Sequence, residues 1–266
     1  MEPIVEFKNI TMEFPGVRAN DDVSLSIQKG EIFALVGENG AGKSTFLNLM
    51  TGVLQADSGK IERGETLRIG YYRQSGISFK PGQTVFDIVH DIAETVEASD
   101  GHSVSATTML NRFLFPHETF NKRVDILSGG EKRRLYLLIV LMQNPNPLIL
   151  DEPTAGLDPK GRDEILDQVK KLREETNMTV VLVSHSMEDV AKYVGRIIVM
   201  NQGEVMYDGT PKEVFSHYKE LESVGLAAPQ VTYIMNALAD KGFDVGTDAT
   251  TIEEATEEIF RVYQKR

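Results

Sequence analysis

The stretch that decides the fold, residues 37–45, reads Gly37-Glu38-Asn39-Gly40-Ala41-Gly42-Lys43-Ser44-Thr45. The run before it, from Ile32 to Val36, is short, apolar and β-branched at both ends, which is typical of a strand buried on both faces. The residues after it, 46–50, continue as an apolar helical pattern that ends at Gly52. The sequence therefore predicts strand, glycine loop and helix, the context that a phosphate-binding loop requires.

Two side chains of this loop are expected to contact a nucleotide and its metal. Glycines let backbone N–H groups turn inward on an anion, and the helix that follows adds the positive end of its dipole. We expect Lys43 to reach the β- and γ-phosphates and the Ser44 hydroxyl to ligate Mg²⁺. The alternative is a glycine-rich turn that carries Lys-Ser by chance, and the strand and helix on either side disfavour it.

Composition excludes several classes of protein. With 266 residues and 41% hydrophobic residues, the chain is long enough for one large or two small globular domains. A net charge of -12 argues against broad nucleic-acid binding, because phosphate backbones are bound by Lys and Arg. No apolar run approaches the roughly 18 residues that cross a membrane, and the amino terminus has no signal-peptide pattern. We expect a cytoplasmic protein without disulfides, which reaches the inner face of the membrane only through a partner.

A pair of acids follows a buried strand. The run Pro147-Leu148-Ile149-Leu150-Asp151-Glu152-Pro153 is apolar up to the acids, and Pro153 prevents the strand from continuing. One carboxylate, Asp151, is expected to hold Mg²⁺ directly or through water, and Glu152 is expected to act as general base or to position the attacking water. Paired acids at a strand end can also simply face solvent, but together with the phosphate loop they make a specific signal.

Two further polar residues follow predicted strands. Gln74 comes after the strand predicted over residues 67–73, and His185 follows the strand Thr179 to Val183. Ligand crevices in parallel sheets lie at the carboxyl ends of strands, so the Gln74 amide is placed to meet Mg²⁺ or water, and His185 to meet a γ-phosphate. By itself, a glutamine there is more often only a solvated polar residue, and a histidine is more often a plain hydrogen-bonded one.

Two more candidates lie on a turn and at a helix start. Phe14 precedes Pro15-Gly16 upstream of the phosphate loop, where its ring is placed either to stack on an adenine or to pack in the turn. Leu127-Ser128-Gly129-Gly130-Glu131 is a capping box, with Ser and Glu three residues apart ahead of an apolar run. Its exposed amides form a second anion-ready surface, although a plain helix cap explains the same residues.

The order of predicted elements indicates the fold class. Buried strands alternate with amphipathic helices, which predicts an α/β core with a mostly parallel sheet over residues 1–74 and 146–215. A small antiparallel portion is expected near the amino terminus, with an edge strand opened by Ile4, Val5 and Phe7. Residues 197–207 predict a hairpin across Asn201-Gln202-Gly203.

Two regions are predicted to be mainly helical. Residues 75–145 show helical periodicity, interrupted by a loop-like run from Glu97 to Ser105, and are expected to form a helical subdomain inserted in the core. Past residue 215 no strand pattern remains, so residues 216–266 are predicted to form a carboxyl-terminal helical extension. The expected domain is therefore 1–215, followed by this extension.

Together these motifs resemble the nucleotide-binding domain of the ATP-binding cassette (ABC) family, a P-loop NTPase. The resemblance implies ATP and Mg²⁺ as ligands and a Walker A loop in which the contacts come from Gly37, Asn39, Gly40, Ala41, Gly42, Lys43, Ser44 and Thr45. It further implies a Q-loop at Gln74, a signature motif with Ser128, Gly129 and Gly130, Walker B acids at Asp151 and Glu152, a D-loop at Asp158 and a switch histidine at His185. Catalysis would involve Lys43, Gln74, Glu152 and His185, and the metal ligands would be Ser44, Gln74 and Asp151. Phe14 stands where the family usually has an adenine-stacking aromatic residue.

The resemblance also implies partners. In this family two domains close head to tail, so that ATP lies between one Walker A loop and the signature residues of the other domain. We therefore expect an ATPase that forms a homodimer, or a heterodimer with another ABC domain, when ATP binds. Its first expected function is to power a membrane importer of the energy-coupling factor or a related type, together with transmembrane subunits.

Different stretches resemble different branches of the family. Residues 2–60 resemble ATPases of sugar and nucleoside importers, residues 66–152 the ABC-F branch, and residues 153–266 the ATPases of energy-coupling factor importers. This mosaic predicts a chimeric or designed sequence, with natural recombination as the alternative. The alternative functions are a ribosome-associated ABC-F factor and an ATP-binding module without a cognate partner. The ABC-F alternative is disfavoured because that branch carries two cassettes in one chain with a charged linker.

Overall fold

The computed structural model describes residues 3–74, 76–77, 79–80, 82–92, 95–97 and 103–264. The strands are β1 (Pro3–Phe14), β2 (Val17–Gln28), β3 (Ile32–Val36), β4 (Ser58–Arg63), β5 (Gly70–Tyr72), β6 (Thr95–Glu97), β7 (Ser103–Ser105), β8 (Pro147–Asp151), β9 (Thr179–Val183), β10 (Arg196–Asn201) and β11 (Glu204–Gly209). The α-helices are α1 (Lys43–Thr51), α2 (Val85–Ile92), α3 (Ala106–Arg112), α4 (Gly129–Met142), α5 (Pro159–Thr176), α6 (Met187–Tyr193), α7 (Pro211–Ser216), α8 (Tyr218–Ser223), α9 (Gln230–Asp240) and α10 (Ile252–Tyr263). These elements fall into two compact units, one containing Gln28–Glu31 and Gly64–Val183, the other containing Pro3–Ile27, Ile32–Arg63 and the residues from Ser184 onward.

The first unit contains a parallel ladder of three strands in the order β9-β8-β5. Ile149 of β8 is paired with Val181 of β9 and with Tyr71 of β5. Strand β9 is buried along its whole length, and so is β8 up to Leu150, which is the continuous apolar pattern of parallel strands covered on both faces. The predicted strand over residues 67–73 is limited to the three residues of β5, which is the last strand in the order and so forms an edge.

The second unit contains parallel and antiparallel pairs. Strand β3, which leads into the phosphate loop, pairs in parallel with β10, and β10 pairs with β11 in the predicted antiparallel hairpin. A separate sheet has the order β2-β1-β4. The prediction that β1 is an edge strand is therefore wrong. It failed because β4 reads Ser-Gly-Lys-Ile-Glu-Arg, and its one apolar residue, Ile61, gives almost no strand signal although it pairs with Phe7.

The inserted portion is mainly helical, as predicted. Helix α2 buries Val85, Ile88 and Val89 from the 3.6-residue pattern, and α3 buries Met109 and Leu110. The prediction of a loop from Glu97 to Ser105 is only partly correct, because β6 and β7 form an antiparallel hairpin in which Thr95 faces Ser105. Strands of three residues give no readable alternation in a sequence. Residues 98–102 of that predicted loop lie outside the described residues.

The residues beyond 215 are helical and have a small apolar core of their own. Helices α9 and α10 pack around Val231, Met235, Ala249 and Ala255, with Leu238 and Val245 against them. The domain boundary at residue 215 remains a prediction. In the part of the chain that the structure describes, no helix is both long and apolar enough to cross a membrane.

This small core yields a stability prediction. Met235 is completely buried, whereas its neighbour Ile234 is 52% exposed. Met235→Ala leaves a cavity between α9 and α10, so we expect it to lower the local free energy of unfolding by roughly 2–5 kcal/mol. The control Ile234→Ala should change it by less than about 0.5 kcal/mol. Hydrogen exchange of the α9 and α10 amides measures both, and equal protection in the two variants would contradict the packing described.

Candidate functional site

The phosphate loop has the geometry that its glycines predict. Gly42 is the N-cap residue of α1 and has φ 98, in the left-handed region that favours glycine. A Cβ atom at this position would lie 2.2 Å from the Ala19 carbonyl oxygen, so no other residue fits without a shift of the backbone. The Lys43 ammonium donates a hydrogen bond to the Gly37 carbonyl, so this side chain lies back across the loop. The predicted order of strand, loop and helix is confirmed.

The loop is supported by two segments whose contact with it the sequence does not predict. The Gly203 N–H, in the β10–β11 turn, donates to the Ala41 carbonyl at 3.1 Å, and the Gly203 carbonyl accepts from the Asp21 N–H at 2.9 Å. Asn20 is completely buried, and its amide donates to the Gly42 carbonyl at 3.4 Å. The sequence gives no signal for this role, because Asn20 falls on the polar side of the alternation set by Val23 and Leu25.

The paired acids stand at the end of β8, as predicted. Asp151 is the last residue of the strand. Glu152 has φ 50, a left-handed conformation that is rare for residues other than glycine, and its N–H donates to the Val183 carbonyl at 2.9 Å. Such strain costs of order 1–3 kcal/mol and clusters at functional sites. The chain therefore turns sharply at Glu152, directly after the last residue of the strand.

A tyrosine that the sequence analysis missed contacts Asp151. Burial above all, together with the neighbouring Asp151 carboxylate, raises the pKa of Tyr71 to about 12, while the Arg73 guanidinium opposes the shift. The Arg73 guanidinium lies 4.8 Å from the centre of the Tyr71 ring. Tyr71 therefore stays protonated at neutral pH, and its side chain lies next to the Asp151 carboxylate.

Gln74 lies beyond the carboxyl end of β5, as predicted. It is exposed and lines a cavity of about 510 Å³ together with Tyr72, Arg133 and Tyr136. Because β5, β8 and β9 are parallel, the ends of all three strands lie at one edge of this ladder. Gln74 and the pair Asp151-Glu152 follow two neighbouring strands of it.

The capping box at Ser128 is confirmed. The Ser128 hydroxyl accepts from the Glu131 N–H at 3.3 Å, and the Ser128 N–H donates to the Glu131 carboxylate at 2.7 Å. A Cβ atom at Gly129 would meet no atom within 4 Å, so the start of α4 faces open space. The exposed amides there are accessible to an anion from outside the chain.

Glu131 is held as a carboxylate by this cap. Burial raises the pKa of Glu131, but the Ser128 N–H and the Lys122 ammonium outweigh burial and lower it to about 2. The Lys122 ammonium lies 3.0 Å from the Glu131 carboxylate. The negative charge of Glu131 in the first turn of α4 also interacts favourably with the positive end of the helix dipole.

The remaining predicted site residues stand at element ends. Asp158 is the N-cap of α5, and its carboxylate accepts from the Gly161 N–H at 2.9 Å. His185 is exposed directly after β9. Phe14 is the last residue of β1 and is 42% exposed. Their roles toward a nucleotide stay predictions.

The predicted site residues are distributed over both compact units. Gln74, Ser128, Asp151, Glu152 and Asp158 belong to the first unit. The phosphate loop, Phe14 and His185 belong to the second unit. Each group is built from residues that are distant in sequence.

The cap predicts a dependence of stability on pH. The Glu131 carboxyl has a pKa of about 2 in the folded chain against an ordinary value of 4.5. Because the folded value is the lower one, the stabilisation is complete above the unfolded pKa and is lost as pH falls toward the folded pKa. Between about pH 4.5 and about pH 2, we expect the free energy of unfolding to fall more steeply in the parent than in Glu131→Gln. Urea unfolding at several pH values measures this difference, and parallel curves for the two proteins would contradict it.

Comparisons with known proteins agree with these motifs. A family profile described as ABC transporter matches residues 20–155. The chain is 41% identical over 264 residues to a Clostridium tetani protein named energy-coupling factor transporter ATP-binding protein EcfA2, covering 94% of this chain and 92% of that protein. It is similar to the solved structure of cbiO1 from Clostridium perfringens, described as part of the ABC transporter complex cbiONQ, with 26% identity, a TM-score of 0.69 and coverage of 89% of this chain and 100% of that chain. It also resembles a dimeric structure of the ATP-binding cassette MJ0796 bound to ADP and Pi, with 25% identity, a TM-score of 0.61 and coverage of 77% and 98%.

These comparisons correct the prediction of a mosaic. One relative, which is named as an energy-coupling factor transporter ATP-binding protein, matches 94% of the chain. A chimeric or designed origin is therefore not supported, and neither is the ABC-F alternative. The chain belongs to the ABC transporter family, as one of its ATPase domains.

Proposed function

We propose that this chain is the ATP-hydrolysing subunit of an energy-coupling factor type of membrane importer. The observation that carries the proposal is the match over nearly the whole chain to a protein named as the ATP-binding protein of such a transporter. The phosphate loop, the paired acids and the open helix start at Ser128 supply the chemistry that this function needs.

The phosphate loop binds the nucleotide. Its backbone amides and the positive end of α1 face the phosphates, and Lys43 moves from the Gly37 carbonyl to the β- and γ-phosphates. Exchanging a carbonyl partner for phosphate oxygens strengthens the hydrogen bonds of the ammonium, because both partners are then charged. Phe14, exposed at the end of β1, stacks on the adenine.

Ser44, Asp151 and Gln74 hold Mg²⁺. A hydroxyl, a carboxylate and an amide carbonyl are oxygen donors, the ligands that this hard cation prefers. The Tyr71 side chain lies next to the Asp151 carboxylate, where a neighbouring group can support a metal ligand. When bound, Mg²⁺ neutralises charge on the phosphates of the nucleotide.

Glu152 and His185 act on the γ-phosphate. Glu152 accepts a proton from the attacking water or holds that water in line with the phosphorus atom, and its left-handed backbone conformation sets it apart from Asp151. His185, which follows β9, donates a hydrogen bond to the γ-phosphate. The roles divide in this way because a carboxylate that coordinates a cation is less basic, so a second carboxylate is the better proton acceptor.

A second ABC domain completes the site. The open helix start at Ser128, Gly129 and Gly130 binds the γ-phosphate of ATP held by the partner, which is another copy or a related chain. A Cβ atom at Gly130 would lie 3.8 Å from the Leu157 side chain, so the turn that carries Asp158 packs beside this helix start and belongs to the same interface. The dimeric MJ0796 structure supports this arrangement by analogy.

Transmembrane subunits are the proposed partners outside the dimer. The Clostridium tetani relative is named as part of an energy-coupling factor transporter. We infer that this chain acts at the inner face of a membrane through such subunits. ATP binding closes the dimer and hydrolysis opens it, and this movement drives the importer.

The hydrolysis role is tested by two substitutions. Glu152→Gln keeps the shape of the side chain but cannot accept a proton, so we expect turnover to fall by about 10²- to 10⁴-fold while Mg-ATP still binds. The control Lys43→Ala should lose detectable ATP binding, because it removes the cation that faces the β- and γ-phosphates. Phosphate release and calorimetry measure the two effects. Turnover of Glu152→Gln at the parent rate would place the base elsewhere.

ATP-dependent dimerisation is a separate prediction. ATP contacts both subunits and ADP lacks the γ-phosphate, so ATP shifts the equilibrium toward the dimer. In sedimentation velocity we expect Glu152→Gln to be largely monomeric with ADP and dimeric with Mg-ATP. Adding Ser128→Arg should prevent the shift and leave ATP binding by the loop nearly intact. A dimer that forms equally well with Ser128→Arg would contradict the proposed contact, and a monomer at saturating Mg-ATP would exclude a second copy as the partner.

A further inference from the structure

Tyr136 of α4 makes two hydrogen bonds to the backbone of the strand that leads to Gln74. Its hydroxyl donates to the Tyr71 carbonyl at 3.3 Å and accepts from the Arg73 N–H at 3.2 Å. Its ring stacks on Tyr72, with the ring centres 4.5 Å apart and the planes 29° from parallel. The residue is only 8% exposed, so these bonds are largely protected from water.

The two bonds copy the pattern of a missing neighbouring strand. In a parallel ladder, one residue donates to a carbonyl of the adjacent strand and accepts from the N–H two residues further along that strand. The Tyr136 hydroxyl does the same with Tyr71 and Arg73. Strand β5 has only three residues and stands last in the order β9-β8-β5, so this hydroxyl occupies its otherwise unpaired edge.

The strand held in this way leads to one ligand of the proposed metal site and lies beside another. Gln74 directly follows Arg73, and the Tyr71 side chain lies next to Asp151. A displacement of β5 away from α4 would therefore move both the Gln74 amide and the side chain that neighbours Asp151. The same helix, α4, begins at the signature residues Ser128 and Gly129.

We propose that Tyr136 is a positioning residue for the Mg²⁺ ligands, whose hydroxyl fixes the end of β5 to the signature helix. The inference rests on the proposed function, in which Gln74 and Asp151 hold Mg²⁺. It assigns two roles to α4. The start of the helix contacts the partner's nucleotide, and Tyr136 positions the metal ligands of its own chain. Removing a group that orients a metal ligand commonly lowers metal affinity about 10- to 100-fold. Tyr136 acts on the backbone next to a ligand and not on a ligand itself, so we expect a smaller effect.

The test compares two substitutions that each remove a single hydroxyl from the same ring stack. Tyr136→Phe removes both backbone hydrogen bonds and keeps the stacked ring. The matched control Tyr72→Phe removes the other hydroxyl and leaves both backbone bonds in place. Each is made in the Glu152→Gln background, so that ATP is not consumed during the measurement. Both substitutions preserve ring volume, so both proteins are expected to fold.

Calorimetry gives the ATP affinity with Mg²⁺ and with EDTA, and the ratio of the two reports the metal contribution. We expect Tyr136→Phe to reduce this ratio by roughly 3- to 10-fold, with the affinity in EDTA unchanged, and Tyr72→Phe to leave the ratio as in the parent. The Arg73 amide should also exchange with solvent faster in Tyr136→Phe only. A purely structural role would lower stability or both affinities together and would not change the ratio.

An unchanged ratio in Tyr136→Phe, or an equal change in Tyr72→Phe, would overturn the inference. So would an Arg73 amide that exchanges at the parent rate. Failure of the proposed function is seen separately, in the Glu152→Gln parent: if that protein binds no ATP, or binds it equally with and without Mg²⁺, then the metal site itself is wrong.

Discussion

The constraint on which the second unit depends is the close approach of the phosphate loop to the backbone beneath it. The Ala19 carbonyl oxygen lies 2.2 Å from where a Cβ atom at Gly42 would be, and the Met200 carbonyl oxygen lies 2.5 Å from the same point at Gly37. The loop can take this position only with glycine at both places. Because the loop is held there, α1 begins at Lys43 and points its first amides into the loop.

In the first unit, the comparable constraint is that a short edge strand, β5, must be held in place from both sides. Strand β5 has only three residues, yet it carries Tyr71 and leads to Gln74. Pairing with β8 on one side and the Tyr136 hydroxyl on the other hold it in place. The turn at Glu152, at the end of the neighbouring strand, stores backbone strain. Tyr71 and Gln74 are thus positioned by contacts of β5 with β8 and with α4, both of which are largely buried.

Sequence patterns predicted the local features well. The phosphate loop and the capping box depend on residues within a few positions of each other, so their geometry is encoded in short stretches. Asn20 and Tyr136 were missed because their partners are 22 and 65 residues away. The central position of β1 was missed for the same reason, since β4 has little strand character until it pairs. The mosaic hypothesis failed because it weighed short stretches separately, whereas the relationship extends over the whole chain.

In the proposed dimer, one nucleotide is bound by the phosphate loop of one chain and by the helix start of another. A structure of Glu152→Gln with Mg-ATP tests this arrangement. We expect a γ-phosphate that contacts Lys43 of one chain and the amides at Ser128 and Gly129 of the second. A γ-phosphate whose protein contacts all come from a single chain would contradict it.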